Sequence, residues 1–83
     1  MTHTSIVVRA VWDDEGKVWV ATSDDLPGLV TEAATVEGLR AKITVMAAEL
    51  IELNGGTFEL PEIPIHIFTE QTARIANPHR SAI

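Results

Sequence analysis

The stretch Val18–Leu39, VWVATSDDLPGLVTEAATVEGL, contains a strand, a turn, a second strand and the start of a helix. Its first part, Lys17–Ser23 with the preceding Lys included, is rich in β-branched residues and reads as a strand. Asp24–Gly28 is a turn. Pro27 presets φ and Gly28 follows it, the pairing expected of a type II turn. Leu29–Ala34 reads as a short strand with one wet face, because Glu32 interrupts its apolar run. Thr35 is placed to cap a helix N-terminus, and Glu37 in the first turn suits the helix dipole. Gly38 stands where a capping box would carry Glu or Gln.

From Val36 the apolar residues fall at Val36, Leu39, Ile43, Met46, Leu50 and Leu53, a 3-4-3-4-3 spacing that predicts a helix over 36–53. Asn54 and Gly55 end it, since both residue types accept the left-handed cap conformation. Ala41, Val45 and Ala48 form a weaker apolar strip on the far side. Upstream, Ser5–Trp12 reads as a strand. It is joined to the next strand by the turn Asp13–Gly16, in which Gly16 is expected at positive φ. Downstream, Ile63, Ile65 and Ile67 alternate with His66 and Phe68, which predicts a last strand. Pro64 places that strand at an edge or starts it there.

The predicted class is therefore α+β, in the order β-β-β-α-β, with an antiparallel sheet and one helix on one face. Residues 1–70 form the domain, and residues 71–83, with little periodicity, are expected to be a flexible tail. The first strand is apolar on both sides: Ile6, Val8, Ala10 and Trp12 on one, Val7 and Val11 on the other. A sheet with one wet face should alternate more cleanly. Something is expected to cover the second face or pair with the sheet edge. Twofold self-association is the simplest remedy in a domain this small. Candidate interface residues are Trp12, Trp19, Val45 and Phe68. A tight turn at Glu15-Gly16 would set the two Trp opposite each other.

Charge and composition exclude several functions. The first 70 residues hold four cations against all twelve acids, a net of −8, whereas residues 71–83 carry +2. Such a body repels phosphates and suits a basic protein partner better than nucleic acid. There is no cysteine among the 83 residues, so disulfides and thiolate metal sites are excluded. No apolar run approaches the roughly 20 residues that span a bilayer, and the N-terminus lacks signal-peptide features. The expectation is a cytoplasmic protein without membrane contact.

Paired carboxylates could hold a metal, but Asp13, Asp14 and Glu15 lie about 20 Å from Asp24 and Asp25 along the intervening strand, at roughly 3.3 Å per residue. Asp25, like its neighbours, is read as turn chemistry. His3, His66 and His79 have no metal-ligand spacing. No nucleophile elbow or phosphate loop is present. No catalytic residue and no cofactor are assigned.

The quoted stretch resembles the HicB family, the antitoxins of bacterial and archaeal toxin–antitoxin pairs. Asp25, Leu26, Pro27, Gly28, Thr31 and Thr35 carry the likeness. Small stand-alone HicB-like bacterial domains of unassigned activity are more similar still. The shared features are Trp12-Asp13, VWVA-x-S, GL-x-TEA-x-T and the Asn54-Gly55 ending. The resemblance runs from Val7 to Asn54, and more weakly through LPEIPI. It implies a partial ribonuclease H-like sheet-and-helix fold, homo-oligomerisation and protein binding, the partner of longer relatives being a small basic ribonuclease toxin. Those relatives also carry a C-terminal DNA-binding module. The thirteen residues after Glu70 are too few for one, so direct operator binding is not expected. Ser23 or Asp24 stands where longer relatives carry Pro, and Gly38 replaces an acidic residue or alanine.

Overall fold

The computed structural model describes residues 5–54 and 61–80. Its elements are β1 (Ile6–Asp13), β2 (Val18–Thr22), β3 (Val30–Ala33), α1 (Val36–Asn54) and β4 (Ile65–Glu70). The α+β class and the order β-β-β-α-β hold. Asn54 closes α1, and Gly55 lies outside the described residues.

The four strands make one sheet in the order β3-β2-β1-β4. β1 pairs antiparallel with β2, and β2 with β3. β4, however, pairs parallel with β1, from Ile6 opposite Ile65 to Val11 opposite Glu70. The sheet is mixed, not wholly antiparallel. A helix that crosses the sheet returns the chain in the direction it left, so β4 enters parallel to β3 and hence to β1. Pro64, with no N–H, precedes this edge strand, and its carbonyl accepts from the Ile6 N–H at 3.0 Å.

The turns follow the local chemistry. The Leu29 N–H donates to the Leu26 carbonyl at 3.1 Å, closing a turn around Pro27-Gly28. Gly28 has φ +92°, as the second central residue of a type II turn requires. At the first hairpin the register is Trp12 opposite Trp19 and Asp13 opposite Val18. There it is Lys17, at φ 57°, and not Gly16 that takes the left-handed conformation. The Asp13 carboxylate explains the shift. Its Oδ1 accepts from the Glu15 and Gly16 N–H groups at 3.1 and 3.2 Å, which binds the first half of the loop into an Asx turn and leaves the reversal to Lys17.

Thr35 caps α1. Its Oγ1 accepts from the Gly38 N–H at 3.0 Å, and its carbonyl accepts from the Leu39 N–H at 2.9 Å. A Cβ on Gly38 would lie 3.0 Å from that hydroxyl, so the small residue keeps the capped turn tight. Leu39, Ile43 and Ala47 are buried on the sheet, with Met46, Leu50 and Ile51 packed at the margin. Val36 and Leu53, the ends of the predicted stripe, are exposed. The 19-residue helix, about 28 Å long at 1.5 Å per residue, outruns the short strands beneath it.

Opposite it the sheet contributes Ile6, Val8, Ala10 and Ala21, and the loop after β2 contributes Leu26 and Leu29. Among the described residues no aromatic ring is fully buried. The core is made of aliphatic side chains on one sheet face.

Candidate functional site

Register assigns every strand residue to a face, because directly paired residues share one. Ile6, Val8, Ala10 and Trp12 lie under the helix side, with Ile65, Ile67, Ala21 and Trp19 beside them. The other face carries Val7, Arg9, Val11 and Asp13 of β1; Val18, Val20 and Thr22 of β2; Val30 and Glu32 of β3; and His66, Phe68 and Glu70 of β4. Among the described residues nothing packs on this face. Phe68 is 57% exposed, Val11 49% and Val30 62%. The rows run Phe68–Arg9–Thr22–Val30 and Glu70–Val11–Val20–Glu32. The result is a face of valines and one phenylalanine, crossed by the exposed Arg9–Thr22 pair and bordered by Asp13, Glu32, Glu70 and His66, with Arg9 as its one guanidinium among the described residues.

The four candidate interface residues do not share a surface. Phe68 is on the open face. Trp12 and Trp19 pair on the helix side at the hairpin end of the sheet, with ring centroids 5.3 Å apart and planes at 62°, an edge-to-face contact. Both are half-buried, and Trp19 packs on the core. Val45, 61% exposed, lies on the outer side of α1. There it borders a shallow groove of about 530 Å³ with Thr31, Ala41, Lys42, Met46 and Glu49.

The acidic turns perform structural work. Asp25 Oδ2 accepts from the Val7 N–H at 2.7 Å, and Ser23 Oγ donates to the Val7 carbonyl at 2.7 Å while accepting from the Asp25 N–H at 3.1 Å. Two side chains thus act as one further rung of the sheet and tie the Pro27-Gly28 turn to β1. Asp14 accepts from Lys17 Nζ at 3.1 Å and from the Trp12 indole N–H at 3.4 Å. The Lys17 hydrogen bond, then that of Trp12, holds the Asp14 carboxyl below its ordinary range. Among the described residues no group of three or more His, Cys, Asp or Glu is placed to hold a metal ion. No helix among them is long and apolar enough to cross a membrane.

The family profile for a domain of unknown function, DUF1902, matches residues 5–77. The chain belongs to the DUF1902 family. Among solved structures it is similar to the hypothetical protein TTHA1013 of the extremely thermophilic bacterium Thermus thermophilus. The identity is 48% over 93% of this chain and all of that one, with a TM-score of 0.67. None of the curated proteins matches it. The DUF1902 match takes in all the strands, the helix and residues 71–77 beyond β4.

Sequence reasoning anticipated that one sheet face would lack a cover. It did not show that the tryptophans lie on the covered side. The signal was available in part: Trp12 and Trp19 share parity with Ile6, Val8, Ala10 and Ala21, the residues that form the core.

Proposed function

We propose that this DUF1902 chain is a non-catalytic, HicB-like protein-binding domain. It associates with a second copy of itself and presents its open sheet face to a small basic protein, in the manner of an antitoxin holding its toxin. The observation that carries the reading is the open face. It offers valines and a phenylalanine on either side of the Arg9–Thr22 pair, with a carboxylate border, which suits a partner that brings apolar side chains ringed by Lys and Arg. The turn carboxylates support it too, since Asp13, Asp14 and Asp25 are engaged with the chain's own backbone or side chains.

The test is co-expression with the product of the adjacent reading frame, where that product is small and basic, followed by co-purification and a growth-rescue assay. The expected result is a complex that survives purification and is lost in a Val11→Lys/Phe68→Lys double variant that still folds. A rescued, co-purifying complex indifferent to that double variant would move the partner off this face. Absence of both rescue and complex would leave the second reading, a stand-alone homo-oligomeric domain. That reading is favoured by the outer edge of β4, which pairs with no other strand among the described residues.

A further inference from the structure

We infer that two copies join through β4 and the segment that follows it, pairing antiparallel about a twofold axis at Thr72. This rests on the self-association proposed above and gives it a route.

The two edges of the sheet differ. β3 is only four residues long. The Lys42 ammonium lies against it, donating to the Glu32 carbonyl at 2.7 Å. A short strand with a lysine beside its edge resists the docking of another strand. β4 has no such guard among the described residues, and the chain runs on past its last paired residue, Glu70. After Glu70 the chain continues from Gln71 to Asn77 with no helix, turn or bend, and every residue is exposed, Ile75 to 89%. The first part of this arm passes the hairpin end of the sheet, where Gln71, Thr72 and Arg74 border the same hollow as Trp12 and Asp14. The radius of gyration is 16.8 Å, against about 12 Å for a compact chain of this length. An arm this long, carrying an exposed isoleucine and lying within the family match, calls for a partner.

Chemistry selects that partner and its register. The arm from residue 71 onward holds Arg74 and Arg80 and no acid, and the rest of the chain is strongly acidic. A second copy is therefore electrostatically complementary to it. The Ile6 N–H bonds to the Pro64 carbonyl, so the even-numbered residues of β4 turn their peptide groups toward β1. Ile65, Ile67 and Thr69 turn theirs outward. Continued into the arm, that alternation leaves Gln71, Ala73 and Ile75 outward as well. An antiparallel partner must then match odd residues with odd, which also keeps like faces together.

With Thr72 opposite its own copy, Glu70 stands opposite Arg74 of the second copy, and Arg74 opposite that copy's Glu70. Both are non-hydrogen-bonded pairs, in which side chains approach most closely. Ile75 falls beside Thr69, diagonal to Ile67, on the helix side, and gains an apolar neighbour. Pro64 and Pro78 flank the paired segment and limit it. The product is one continuous eight-stranded sheet whose two open faces lie side by side.

The test uses the full chain in sedimentation at micromolar concentration. Ala73→Pro removes an outward N–H from the arm without touching the core and is expected to abolish the dimer. Arg74→Glu is expected to weaken it about tenfold, since like charges then face each other at two places. Adding Glu70→Arg to that variant restores it. Because the chain has no cysteine, Thr72→Cys offers a single thiol pair. Under mild oxidation it should give a covalent dimer, whereas Ala76→Cys, whose opposite residue is Phe68, should not. A parent that sediments as a monomer at all concentrations overturns both the self-association and this route. A parent dimer that survives Ala73→Pro, with no cross-link through Thr72→Cys, overturns the route alone.

Discussion

The two faces of the sheet have similar valine and isoleucine content in β1 yet different fates. On one side Ile6, Val8 and Ala10 are almost wholly buried under α1; on the other Val11 and Phe68 are about half exposed. Apolar content alone did not decide which side became the core. The helix did, because a single helix can seal one face only. The sealed face holds the chain together. The open one is uncovered among the described residues, and its side chains should add little to the stability of an isolated copy.

That contrast can be broken most sharply by deletion on each side. Ile43→Ala empties the centre of the helix–sheet contact and is expected to cost about 3 kcal/mol. In a domain of this size that lowers Tm by roughly 12–24 °C in a thermal melt. Phe68→Ala on the open face should cost under about 0.5 kcal/mol at a concentration where the chain is dilute. Equal losses would show that the open face is packed in solution and that the contrast is wrong.

The next effect concerns the turn that aims β3 under the helix. Gly28→Ala places a Cβ at positive φ, 3.3 Å from a Leu50 methyl. It is expected to destabilise by about 2 kcal/mol, read as a shift in the denaturant midpoint. Thr35→Ala removes the hydroxyl that accepts from Gly38 and should cost about 1 kcal/mol, with the slope of the denaturation curve unchanged.

The smallest effect belongs to the hairpin end, where neither face dominates. Asp14 is fully solvated, and its carboxyl is held below the ordinary range by Lys17 and Trp12. A depressed folded-state value means that the contribution is present above the unfolded value and is lost as pH falls through the folded one. Asp14→Asn should therefore be slightly less stable than the parent at neutral pH. The gap should close as the solution is acidified through and below the ordinary carboxylate range, and shrink with added salt. A gap that persists in acid would assign the loss to geometry instead of charge.

Much of this architecture was legible in local chemistry. Pro27-Gly28 predicted its turn and Thr35 its cap, the 3-4 spacing predicted α1 to within a residue, and Pro64 pointed to a strand that lies at an edge or begins there. These features depend on a residue and its near neighbours: a missing N–H, a tolerated positive φ, a hydroxyl in reach of a free amide. Where local signals competed they misled. Gly16 was the expected left-handed residue of the first turn, but the Asp13 carboxylate captured the amides of Glu15 and Gly16 and moved that conformation to Lys17.

Tertiary structure decided the rest. Alternation in a strand is unchanged when the two faces are exchanged, so the pattern in Ile6–Trp12 could not say which set would meet the helix, nor that Trp12 and Trp19 would lie on that side. Nor does a run such as Ile65–Glu70 carry its own direction, since side chains alternate alike in parallel and antiparallel pairs. Its parallel entry beside β1 came from the crossover through α1, and its place at the edge left β4 and the arm beyond it without a partner among the described residues of the same chain. Face, direction and neighbour are set by contacts between residues far apart in sequence, where the burial of one apolar surface against another outweighs any local preference.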